Sequence, residues 1–217
     1  MNRSFLAGML TLGFVTSGCP STNTTQDCTP VDLSWIDTAP RCGDDPAMRY
    51  TPRTGPPAVT PGCQVFVQRL SFSFFDGAEA PNLRGVRATL SDIGFYGAPN
   101  LTSLAGLETL EHIGGRLQIR NMPALTDLRG LRSLRSARAL AVDNTVVTSL
   151  EGAEQLREVE LLTIRDNRQL VSLRGLDGLC RITGGVYIFD NPLLPESEIQ
   201  AFLERVEITG PIVLTRP

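Results

Sequence analysis

The sequence predicts a leucine-rich β-solenoid, on three observations: a segment that recurs about every 23 residues, an alternating apolar pair in each copy, and a turn marker after each pair. The segment Leu101-Thr-Ser-Leu104-Ala-Gly-Leu107-Glu-Thr-Leu110-Glu-His-Ile113 returns as Leu125-Thr-Asp-Leu128-Arg-Gly-Leu131-Arg-Ser-Leu134-Arg-Ser-Ala137. It returns twice more, over Val147–Val159 and Leu170–Ile182, and Leu83-Arg-Gly-Val86 is a degenerate earlier copy. The second leucines stand at 104, 128, 150 and 173, giving steps of 24, 22 and 23 residues. One coil of this length cannot bury its own leucines, whereas stacked coils can.

From the N-terminus, residues 1–18 are expected to be a signal peptide. Arg3 precedes the apolar run Phe5–Val15, and Thr16, Ser17 and Gly18 lead into Cys19. Charge, short apolar stretch and small-residue exit are the grammar of a secretory leader, and the run is too short to cross a bilayer as a helix. Gly18-Cys19 resembles the end of a bacterial lipobox, although Thr16 stands where a leucine is usual, and ordinary signal-peptidase cleavage fits the same small residues. Lipidation of Cys19 is the expectation, with anchoring in the cell envelope at the outer membrane or its periplasmic face. Residues 19–62 carry eight prolines among Ser, Thr and Asp, a composition expected to form an extended tether.

Residues 63–217 are expected to form the solenoid and both its caps. Val65, Val67, Leu70, Phe72 and Phe74 alternate as one or two strands closing the N-terminal side. The pairs Ile93/Phe95, Leu117/Ile119, Leu140/Val142, Leu162/Ile164 and Val186/Ile188 have period two, which places them inward on strands. Turns follow at Ala98-Pro99, Met122-Pro123, Asn144, Asn167 and Asn191-Pro192. The asparagines shift by one position between copies, so no complete internal ladder is expected. Gly85, Gly106, Gly130, Gly152 and Gly175 suit a corner without a side chain, and they leave room for at most a helical turn between the leucines. The copy around Asp143 is one residue short. Pro195–Val206 departs from the repeat and puts Ile199, Phe202, Leu203 and Val206 on one helical face, predicting a C-terminal helical cap before a short strand, Ile212–Leu214.

The copies together read L-x-S-L-x-G-L-x-x-L-x-x-I-G-G-x-L-x-I-x-x-N-P. This resembles the receptor L-domain family, the leucine-rich β-helix of insulin- and growth-factor-receptor ectodomains, and is closer still to bacterial lipoproteins with L-domain-like repeats. The resemblance covers about residues 83–194 and is missing from residues 1–82. It implies a right-handed solenoid, an envelope lipoprotein and a surface that takes part in ligand recognition.

Chemistry is sparse. A net charge of −3 gives no electrostatic case for nucleic acid. The sequence has no CxxC pair and one histidine, His112, so no metal site is expected. His112 shares a column with Ser136, Glu158 and Arg181 and is expected to be exposed and solvated rather than a base. Gly114-Gly115 and Gly184-Gly185 have no following lysine and make no nucleotide loop. No catalytic residue and no cofactor is expected.

The outward strand positions form two columns: Gly94, Gln118, Ala141, Thr163, Tyr187, and Tyr96, Arg120, Asp143, Arg165, Phe189. Tyr and Arg anchor interfaces and aromatic rings stack on sugars, so Tyr96, Gln118, Arg120, Asp143, Thr163, Arg165, Tyr187 and Phe189 form the candidate binding face. A plain ion-pair ladder through Arg120, Asp143 and Arg165 is the structural alternative. The cap or tether could also cover Tyr187 and Phe189. The expected function is an envelope-anchored, non-catalytic recognition or scaffold module for a protein or glycan. Two other classes stand beside it: a β-helix enzyme acting on polysaccharide, for which the columns supply one carboxylate where two are usual, and a purely structural envelope lipoprotein.

Cys28, Cys42, Cys63 and Cys180 predict two disulfides in an exported chain, with three possible pairings. Cys180 shares a column with Glu111, Arg135 and Arg157, so it should face outward. Stacking puts Cys63 roughly 15–20 Å from Cys180, beyond the ~7 Å that a disulfide spans. Cys180 is therefore expected to pair with Cys28 or Cys42, and Cys63 with the other.

Overall fold

A computed structural model describes residues 28–42, 49–50, 61–67 and 69–215. The expected signal peptide and Cys19 lie outside the described residues. In order, the strands are β1 (Arg49–Tyr50), β2 (Val65–Phe66), β3 (Leu70–Ser73), β4 (Ala88–Thr89), β5 (Ile93–Tyr96), β6 (His112–Met122), β7 (Ser136–Thr145), β8 (Glu158–Arg165) and β9 (Arg181–Phe189). A helix α1 (Glu196–Arg205) and the strands β10 (Glu207–Ile208) and β11 (Ile212–Leu214) follow. Each of these strands pairs in parallel with its counterpart one coil on, building a β-solenoid of about six turns.

Each coil bends between two strand segments. Ile113, Ala137, Val159 and Ile182 stack in the first, and Leu117, Leu140, Leu162 and Val186 in the second. Gly114-Gly115 occupies the bend of β6, but Arg138 alone occupies it in β7, and the register shifts there. The short copy thus loses its residue at the bend, and pairing through Asp143 stays in step. The inward pairs and the leucines at 104, 107, 110, 128, 131, 134, 150 and 156 are fully buried.

The corner glycines face a tight fit. Gly106, Gly152 and Gly175 have φ of +106°, +111° and +104°, and a Cβ on Gly175 would run into the Leu150 carbonyl of the coil below. Gly130 differs, lying in the 3-10 turn Arg129–Leu131, the single helical turn the spacing allows. The asparagines divide as their register predicts. Asn167 Nδ2 donates to Val142 O at 2.9 Å and Asn191 Nδ2 to Ile164 O at 2.9 Å, both inside the turn. Asn144 lies one position earlier, exposed at φ +49°, and donates to Asn121 at 2.8 Å.

At the N-terminal end the expected alternation holds only in part. Leu70 and Phe72 are buried, with Phe72 stacked on Phe95 at 4.9 Å between centroids. Val67 is exposed because the coil bends between β2 and β3 and breaks the period. Phe74 is 74% exposed because it lies past β3, at a left-handed corner that later coils fill with Gly97, Asn121, Asn144, Asp166 and Asp190. At the other end Phe202 and Val206 are buried, while Ile199 and Leu203 pack against the core. The Glu198 carboxylate accepts from Ser172 Oγ at 2.7 Å and Leu173 N at 3.2 Å, and Arg205 reaches Asp177 at 3.0 Å.

Two disulfides join Cys28 to Cys180 and Cys42 to Cys63, with Cα separations of 5.6 and 4.9 Å. This is one of the two arrangements that stacking geometry leaves open. Residues 28–42 thus form a strap between the fourth full repeat and the first coil. Five backbone rungs, through Arg87, Glu111, Arg135 and Arg157, separate Gln64 from Cys180, about 24 Å. Ile36, with Leu33, Trp35 and Ala39, packs on Val65 and Ala88, which face outward from the first strand segment yet are fully buried. The Arg87 guanidinium lies 4.0 Å from the Trp35 ring centroid and also pairs with Glu111 at 2.8 Å.

This packing sets an expected contrast. Leu128 and Leu131 are fully buried, so either changed to Ala should cost about 2–5 kcal/mol. Arg132 and Arg135 on the same segment are exposed, and Ala there should cost under about 0.5 kcal/mol. Urea melts of the four variants read the difference, and equal sensitivity would contradict the inward and outward assignments.

Candidate functional site

The second strand segment brings all eight candidate residues onto one face. Gly94, Gln118, Ala141, Thr163 and Tyr187 pair in succession, as do Tyr96, Arg120, Asp143, Arg165 and Phe189. The strap crosses the other outward face, that of the first segment, and leaves Tyr187 and Phe189 half-exposed.

Asp143 organises the centre. Its side chain is only 4% exposed, with Arg120 Nε 3.0 Å and Arg165 Nη2 3.3 Å from Oδ2. The Arg165 approach is a hydrogen bond, whereas Arg120 Nε meets the carboxylate as an ion pair without one. Burial pushes the Asp143 carboxyl above the ordinary aspartate range, and the two guanidinium charges oppose that rise. Arg120 and Arg165 side chains remain 40% and 41% exposed, so the buried carboxylate holds two cations side by side at the surface. Arg165 also pairs with Asp166 at 3.1 Å and lies 5.7 Å from the Phe189 ring centroid.

Tyr96 lies down on the sheet. A Cβ on Gly94 would fall among the ring atoms of Tyr96, so the ring covers that glycine, and the Tyr96 hydroxyl donates to Gln118 Oε1 at 2.7 Å. Tyr187 brings one ring carbon near Gly185, two residues before it, which Pro211 also crowds. Burial raises the Tyr96 phenol above its ordinary value, so it stays a protonated donor at neutral pH.

No family model, curated protein or solved structure matches the chain.

Sequence reasoning missed a hollow of about 340 Å³ at the centre, where Asn121, Asn144, Asp166 and Arg168 join Arg120, Asp143 and Arg165. The signal was present in the Asn and Asp residues that end successive strands, which suit the left-handed corner as few residue types do. It also missed the triplet Gly94-Phe-Tyr96, in which the glycine leaves room for the ring.

His112 is not freely solvated, contrary to expectation. Its Nδ1 lies 2.7 Å from Ser136 Oγ, Ser136 is buried, and burial lowers the imidazole pKa below its ordinary value. Among the described residues no cluster of three or more metal-ligating side chains occurs.

Proposed function

We propose that the protein is an exported, envelope-anchored recognition module that holds a protein or glycan ligand against the outward face of β5–β9. One observation supports the reading most: the strap packs over Val65 and Ala88 of the first strand segment and leaves open the face of the second, where Tyr96, Arg120, Asp143, Arg165 and Phe189 stand in register. The two disulfides fit an extracytoplasmic protein, and no described helix is long and apolar enough to cross a membrane. A lipid on Cys19 supplies the anchor in this reading. A non-catalytic role is supported by the single carboxylate of the face, Asp143, which is already paired with two arginines where glycoside hydrolysis uses two free carboxyl groups.

Anchoring and recognition are tested separately. Cys19→Ala is expected to abolish radiolabelled-palmitate incorporation and to release the protein into the soluble fraction. A wild-type chain that is already unlabelled and soluble would remove the lipid anchor. For recognition, the immobilised wild-type chain should retain envelope material that an Arg120→Ala/Arg165→Ala double variant loses and Arg132→Ala keeps. Equal retention by all three would overturn the assignment of the face and favour a purely structural role.

A further inference from the structure

We infer that the open face binds an acidic oligosaccharide, a sugar chain whose rings stack on Tyr96 and Tyr187 and whose carboxylates are taken by Arg120 and Arg165. The inference rests on reading that face as the recognition surface.

The shape of the face favours a sugar over a folded protein. Tyr96 covers Gly94 and is tethered by its bond to Gln118, so it offers a ring face rather than a protruding side chain. Tyr187, half-exposed on the same sheet, brings one ring edge to Gly185 beside Pro211. A ring lying flat matches the flat C–H face of a pyranose, whereas a protein anchor side chain usually enters a pocket. The two tyrosines are four coils apart, about 19 Å along the stack. Between them Gln118, Ala141 and Thr163 keep the relief low and supply amide and hydroxyl groups. That is a track for an extended chain.

Charge selects the acidic class. Around the central hollow Arg120, Arg165 and Arg168 outnumber Asp143 and Asp166, on a chain whose net charge is −3. Asp143 occupies only part of each guanidinium, and a carboxylate on a sugar ring can take the remaining N–H donors of Arg120 or Arg165 as a fork. Protein interfaces draw on an apolar centre, and the centre here is an Arg–Asp–Arg row.

The test uses the full chain in a calorimeter with two carboxylated probes, tetragalacturonate and a hyaluronan tetrasaccharide, and with their methyl esters. At least one acid should bind with micromolar affinity that falls as salt rises, and its ester should bind about tenfold or more weaker. Arg165→Gln should weaken binding by about tenfold. Gly94→Ala is the sharper variant, because its methyl displaces the Tyr96 ring without removing any contacting group. It should weaken binding about fivefold or more while the thermal melt stays near wild type. No binding of either acid at millimolar concentration, equal affinity for acid and ester, or an unchanged affinity in Gly94→Ala would each overturn the inference. Arginine-dependent retention of an envelope protein, with neither acid bound, would leave the recognition face standing and remove only the acidic sugar.

Discussion

Gly175→Ala is expected to cost about 2–4 kcal/mol, among the largest effects of any single methyl in this chain. Two terms add. At φ +104° an L side chain is strained, and the new Cβ would press on the Leu150 carbonyl in the coil below. Gly62→Ala isolates the first term, since Gly62 has φ +83° but a Cβ there would meet no atom within 4 Å. That change should cost about 1–2 kcal/mol. Urea denaturation of the two variants measures the difference, which is the cost of forcing two coils apart at their corner. Equal losses would mean that the coils can spread at Gly175 without penalty.

Removing the strap's far clasp should have an effect of similar size. The Cys28–Cys180 bond links residues 152 apart, and a Cys28→Ser/Cys180→Ser double variant should lose about 3–5 kcal/mol through the freedom returned to the unfolded chain. The chain's single tryptophan reports on the folded side. Trp35 lies under the Arg87 guanidinium on the strap, so its emission should shift to the red once the strap lifts. An unchanged melt and emission would show that Ile36 and Trp35 hold the strap without the clasp.

The body of the fold was legible because a solenoid repeats its physics. Each copy states the same inward leucines and the same alternating pair, so noise at one position is corrected by the others. The register of Tyr96, Arg120, Asp143, Arg165 and Phe189 followed directly from that alternation. Legibility failed where the chain occurs once. Nothing periodic announces that Leu33, Trp35 and Ile36 lie across Val65 and Ala88, because the pairing is between distant, unrepeated segments. His112 and Ser136 were expected on an open face for the same reason. Phe74 was expected inward by alternation, but the left-handed corner ends the strand one residue earlier. The candidate face was readable as a list of residues, not as a surface. That Tyr96 lies along the sheet depends on Gly94 two positions before it, a relation that only side-chain packing expresses.

The length of the Cys28–Cys180 loop has a consequence for how the chain matures. Synthesis proceeds from the N-terminus at about 5–20 residues per second, so Cys28 exists for roughly 8–30 s before Cys180 is made. Cys42 and Cys63 are only 21 residues apart and become available to each other almost at once. Coils stack on their neighbours, and the outward position of Cys180 is created only when the fourth full repeat has settled on the third. The clasp therefore acts as a completion mark. A chain cut short before residue 180 keeps one unpaired thiol, which is Cys28 once Cys42 and Cys63 have joined, and a thiol-reactive label would separate finished molecules from unfinished ones.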